Sequence, residues 1–140
     1  MSLDTKLTIG NDLSELDRVH AWVEQFQAMH ALSSDVAFAV TLSLDELLTN
    51  IISYGYPNTV AHAVWISMRL EGDRLHVRIE DQAEPFNPLN AEEPDLDAPI
   101  EDRRIGGLGI HFVRTVMDDV AYEFADGRNV LTLVKRTGAE

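Results

Sequence analysis

The sequence predicts an α+β fold, a two-layer α/β sandwich in which helices cover one face of a mixed, mainly antiparallel sheet. Two observations carry this reading. Apolar residues recur at helical spacing in three stretches and alternate at strand spacing in others. The order is strand, two helices, two strands, loop, helix, two strands, which segregates helices onto one side of a sheet. A third observation sets the scale: 140 residues, 45% of them hydrophobic, predict one domain, 1–140, with a proper core.

Lys6 to Ile9 is a short, weak strand candidate. Asn11 or Asp12 caps the next helix, with Glu15 in its first turn. Leu13, Leu16, Val19, Val23 and Phe26 then repeat at helical spacing, predicting a helix over roughly 12–31. Ser33 or Ser34 caps a second helix, striped by Val36, Val40, Leu44, Leu47, Leu48 and Ile51 and ending near Tyr54-Gly55. Pro57-Asn58 is a turn. Ala63 to Leu70 alternates, Gly72-Asp73 turns the chain, and Leu75, Val77 and Ile79 alternate with His76, Arg78 and Glu80. Ile110 to Met117 forms the third helix. Val120 to Phe124, Asp126-Gly127 and Asn129 to Lys135 form a closing hairpin. Trp22, Trp65 and Phe112 are expected to pack in the core or between helices.

The segment between the second hairpin strand and the third helix differs from the rest. Four of the five prolines fall between Pro85 and Pro99, among six acidic residues from Glu92 to Asp102. A long loop of this composition inside a domain is usually functional or disordered, so a mobile loop is expected there.

Eleven basic and 24 acidic residues give a net charge of −13, which repels nucleic acid and anionic membrane; neither is expected as a partner. There is no run of about eighteen apolar residues, so no membrane-spanning helix is expected. No secretory signal is visible, and the absence of cysteine excludes disulfides and thiolate metal sites. A cytoplasmic location fits these observations.

Three short segments carry chemistry. Glu46 and Asn50 are i and i+4 on the second helix, on a face offset from its apolar stripe. A carboxylate can orient or deprotonate an attacking hydroxyl, and an amide oxygen is a hard ligand suited to magnesium. Taken alone, the pair also fits two solvated residues on a helix surface. Asp81 follows Leu75, Val77 and Ile79 in register, so it points with the apolar series. A carboxylate placed there needs a partner. The exocyclic amine of adenine is one; the alternative is a strand-end aspartate capping the following turn. Gly106, Gly107, Leu108 and Gly109 open the third helix, where glycines let the backbone approach an anion and free N–H groups face phosphates. Arg103 and Arg104 precede them, placed either to reach a γ-phosphate or to offset the acidic loop. Together the three segments describe an ATP site with Mg2+.

In sequence the segment Asp45 to Asn50, with its continuation to Pro57, resembles one box of the bacterial anti-sigma regulatory factor / serine-protein kinase family. Asp81 to Pro88, with its Pro85-Phe86-Asn87-Pro88 ending, resembles that family's adenine box. Gly106 to Ile110 resembles its phosphate box, and the segment from Tyr122 through Asn129 to Lys135 fits as well. This family lies within the superfamily of gyrase, histidine kinase and mismatch-repair ATPases. The resemblance implies the Bergerat ATP-binding fold, with ATP and Mg2+ held between helices and sheet and an ATP lid at about 86–105. It implies Glu46 as the catalytic base, Asn50 as the magnesium ligand and Asp81 as the adenine ligand. Ala83, Gly106, Gly107, Leu108, Gly109 and Arg104 would line the nucleotide. It also implies partner switching, in which the domain holds a sigma factor or phosphorylates a serine or threonine of an anti-sigma-factor antagonist. One position departs: Ala83 stands where the family usually has glycine, and this favours an alternative, a non-catalytic partner-binding module of the same fold. The catalytic half of a histidine kinase is a third reading, disfavoured by the Pro-Phe-Asn-Pro ending. A homodimer through Trp22 and Phe26 of the first helix is a further expectation.

Overall fold

A computed structural model describes residues 4–55, 62–90 and 107–138. The first strand, β1 (Asp4–Gly10), leads through a short 3-10 turn at Leu13–Glu15 into α1 (Leu16–His30) and α2 (Ser34–Asn50). A hairpin follows, β2 (Ala63–Glu71) and β3 (Arg74–Asp81). Then come α3 (Gly107–Val116) and a second hairpin, β4 (Asp119–Ala125) and β5 (Arg128–Arg136). The strands form one sheet in the order β1-β2-β3-β5-β4, and each neighbouring pair is antiparallel.

The α+β class is as expected; the sheet, expected to be mixed, is antiparallel throughout among the described residues. Both β3 and β4 run antiparallel to β5, so they run parallel to each other with β5 between them. The crossover through α3 therefore joins two parallel-running strands that never touch. Among the described residues there is no parallel ladder, because the last strand has taken the place where one would form.

Local chemistry sets the boundaries. Asp12 accepts from the Ser14 N–H, and Glu15 accepts from the Gly10 N–H, so polar groups occupy the helix entry and α1 proper starts at Leu16 rather than near residue 12. Ala31, in the left-handed region at φ 52°, ends α1. Ser33 caps α2 by accepting from the Val36 N–H at 3.2 Å. The strand expected over 6–9 is longer, because β1 pairs along its whole length with β2 and the Trp22 indole donates to Thr5 Oγ1 at 2.9 Å. In the closing hairpin Asp126 and Gly127 both have positive φ, the pattern of a tight two-residue turn.

The core lies between the helices and one sheet face. Val19, Val23, Val40, Leu44, Leu47 and Leu48 meet Val64, Ile66, Met68, Leu75, Val77, Ile79, Leu131 and Leu133. Trp22 and Phe26 belong to it, at 8% and 4% exposure, so they are not available as the dimer face expected of them. Trp65 and Phe112 depart in the other direction. Trp65 alternates with Val64 and Ile66 onto the opposite sheet face, where the Arg128 guanidinium lies 3.8 Å from its ring centre. Phe112 is 42% exposed on α3. The stretch Ser34–Ser53 is long and apolar enough to cross a membrane, with mean hydropathy 1.4, although no such run was expected. In this fold most of it is α2, whose buried apolar residues belong to the core against the sheet, while Phe38 is exposed.

Candidate active site

Asp81 ends β3 on the core-facing side, as its phase with Leu75, Val77 and Ile79 predicts, and is 3% exposed. Its Oδ1 accepts from the Ala83 N–H at 2.9 Å and from the Asn129 amide at 3.0 Å. No hydrogen bond reaches Oδ2 among the described residues. The turn-capping reading of Asp81 therefore holds at Oδ1. Oδ1 caps the turn, and Oδ2 is left as a bare acceptor. Burial pushes the carboxyl above the usual carboxylate range, while the bonds from Asn129 and Ala83 oppose that rise.

Asn129 is buried beside Asp81 as its direct partner across the β3–β5 ladder. Its amide nitrogen also donates to the Ala83 and Glu84 carbonyls, each at 3.1 Å. Its Oδ1 accepts from the Phe86 N–H at 3.0 Å and from the Tyr122 hydroxyl. The chain leaving β3 is thus tied to β5 at three successive points. Ala83 packs against the core, and its φ lies outside the left-handed region. The turn does not need glycine, so the methyl group there causes no backbone strain.

Glu46 and Asn50 share the half-buried margin of α2, one turn apart, beside the buried Leu44, Leu47 and Leu48. Neither side chain has a hydrogen bond or ion pair among the described residues. The neighbouring acid is committed elsewhere: Asp45 meets His20 of α1 at 2.6 Å. Directly after Asn50 the helix widens into a π turn, Ile51–Gly55. Such turns frequently mark functional positions in helices. No hydrogen bond joins Glu46 or Asn50 to the Asp81 cluster.

Gly107, Leu108 and Gly109 occupy the first turn of α3, which packs against α2. The helix therefore starts earlier than Ile110, and the glycines are helical positions with N–H groups facing its open end. Gly106, Arg103 and Arg104 lie outside the described residues, as does the expected lid from residue 91 onward. Its first residues are described: Asn87 accepts from the Leu89 N–H, shaping a 3-10 turn at Pro88–Asn90.

These residues fit a magnesium nucleotide. A carboxylate oxygen with no donor among the described residues suits an amino group, an amide oxygen with none suits a hard cation, and a helix start suits phosphate. Two residues with no role assigned from the sequence belong to the arrangement, Asn129 and Tyr122. The signal was present in part, since Asn129 is a polar residue in phase with Leu131 and Leu133. Its register opposite Asp81 was not visible from spacing.

A family model described as a histidine kinase-like ATPase domain matches residues 9–135. The serine/threonine-protein kinase BtrW of Bordetella bronchiseptica is 29% identical over 119 residues, covering 85% of this chain and 84% of that protein. The serine-protein kinase RsbW of Bacillus mycoides is 29% identical over 94 residues, covering 64% of this chain and 58% of that protein. A crystal structure of RsbU and RsbW domains from Mycobacterium tuberculosis superposes with a TM-score of 0.67 at 14% identity, over 95% of this chain and 32% of the other. That last likeness establishes the fold.

Proposed function

Because the chain belongs to the histidine kinase-like ATPase domain family, we propose that it is an ATP-dependent protein serine/threonine kinase of a partner-switching pathway. Its substrate would be a serine or threonine of a small anti-sigma-factor antagonist, and its other partner a sigma factor. Support for the kinase reading comes from relatives named as serine kinases. The observation that carries the nucleotide reading is Asp81, a buried carboxylate with one oxygen locked internally and the other left for a ligand.

In this reading Asp81 Oδ2 accepts from the adenine amino group, and Ala83 lines the base. Asn50 holds Mg2+, and the backbone at Gly107 and Gly109 receives phosphate oxygens. Bound MgATP supplies the γ-phosphoryl group. Glu46, which has no competing partner among the described residues, takes the proton from the attacking hydroxyl. The alternative, a non-catalytic partner-binding module, drew on Ala83. Of the two ways a methyl group there could act, restricting the turn and narrowing the adenine pocket, the unstrained backbone removes the first.

Incubation of the protein with magnesium, γ-labelled ATP and a candidate antagonist domain tests the reading. Label on a serine or threonine of the antagonist, lost with Glu46→Ala, is the expected outcome. Nucleotide binding without any transfer to cognate antagonists would favour the binding module.

A further inference from the structure

The Asn129 side chain makes more of the bonds around the candidate base site than any other group described, and it is 5% exposed. Its nitrogen faces three oxygens, Asp81 Oδ1 at 3.0 Å and the Ala83 and Glu84 carbonyls at 3.1 Å, and so shares two hydrogens among three acceptors. Its oxygen takes the Phe86 N–H at 3.0 Å and the Tyr122 hydroxyl. With two donors on one end and three acceptors at the other, the amide has a single satisfied orientation.

This orientation has a consequence for Asp81. A free carboxylate can rotate about its terminal bond and exchange its oxygens. Here Oδ1 is held by two donors from different strands and turns, the Ala83 N–H and the Asn129 amide, so the exchange is blocked. Oδ2 is left as the acceptor at a fixed place, and the chain beyond β3 is tied at residues 83, 84 and 86.

We infer that Asn129 is a positioning residue for base selection: together with the Tyr122 hydroxyl, it holds Asp81 so that a single carboxylate oxygen meets the base. The inference rests on the adenine reading of Asp81 given above. It assigns to the last strand a part in discriminating a 6-amino purine from a 6-oxo purine. Pre-set acceptors reject a ligand lacking the matching N–H, because the acceptor is then buried unpaired. A carboxylate free to turn away loses much of that discrimination.

The test compares ADP with inosine diphosphate, which differs at the 6-position of the base and keeps the sugar and phosphates. Calorimetry on the wild-type chain should show ADP preferred. Equal affinities there would overturn the adenine reading itself, before any variant is made. With that preference established, Asn129→Leu should shrink the ADP-to-inosine-diphosphate ratio by roughly tenfold or more, since a bond to a charged acceptor is of that order. Inosine diphosphate affinity should stay within about threefold. Tyr122→Phe, which removes only the hydroxyl, should shrink the ratio by roughly threefold. A merely structural Asn129 would weaken both nucleotides in parallel and leave the ratio at its wild-type value, which would overturn the inference. Should Asn129→Leu prove unfolded by circular dichroism, Tyr122→Phe decides alone. A reduced ratio supports the positioning role, and an unchanged one refutes it.

Discussion

Replacing Asp81 by asparagine separates binding from folding. The substitution keeps an oxygen where Oδ1 accepts from Ala83 and Asn129, so the turn and the β3–β5 contact are retained. At the other position it puts an amide N–H2 where a carboxylate oxygen stood, donor against donor for an adenine amino group. A hydrogen bond to a charged acceptor contributes about 1.5–3 kcal/mol, so ADP should bind roughly 10- to 150-fold more weakly. Stability should move the other way. Burial raises the Asp81 pKa above its unfolded value. Between the two values the native state holds the extra proton, so stability from this group is full below the unfolded pKa and is lost as pH rises through the folded one. At pH 7 the ionised carboxylate weakens the fold, and a neutral amide relieves that cost. Calorimetric titration with ADP and thermal unfolding at pH 7 together form the assay. ADP affinity within twofold of wild type would refute the base-ligand role. A melting temperature lowered by more than about 5 °C would show that Asp81 is held for folding instead.

Other outcomes follow from the same geometry. In the wild type, ADP affinity should fall on acidification as Asp81 takes up its proton, while Asp81→Asn should lack that acid limb; matched titrations from pH 7 downward read this directly. Glu46→Ala should reduce single-turnover phosphotransfer by at least a hundredfold with ADP affinity nearly unchanged, since general-base losses run to 10²–10⁴; full activity would exclude Glu46 as base. Asn50→Ala should weaken the magnesium dependence of nucleotide binding and transfer together, measured by titration at several Mg2+ concentrations. Ser43, fully buried in α2 with its hydroxyl unpaired, should tolerate Ser43→Ala with a gain of about 1 kcal/mol, seen as a melting temperature higher by about 3 °C.

The parts of this molecule readable from its sequence are those set by local periodicity. The phase of Leu75, Val77 and Ile79 put Asp81 on the buried face, and the i, i+4 spacing put Glu46 and Asn50 on one helix margin. Both hairpin turns were legible because Gly72 and the Asp126-Gly127 pair carry the required backbone. What escaped depends on strands far apart in the chain. Asn129 is ordinary until β5 is known to lie beside β3, and the insertion of β5 between β3 and β4 is not encoded in any window. Trp22 and Trp65 show the same limit. Both are large aromatics in amphipathic segments, and only the pairing of β1 with β2 and the packing of α1 decide which faces inward.

The insertion of β5 bears on the order in which the molecule assembles during synthesis. Asp81 and Asn129 are 48 residues apart, and the strand that carries Asn129 follows every other described element. Until it emerges from the ribosome, β3 remains an unpaired edge, and unpaired edges of this kind invite aggregation. Closing so distant a pair is slow relative to the hairpins and helices around it. The candidate base site is therefore completed only when two segments far apart in the sequence have met, and a chain that has not closed the β3–β5 pair should be unable to grip nucleotide, so that binding itself would report the closed sheet.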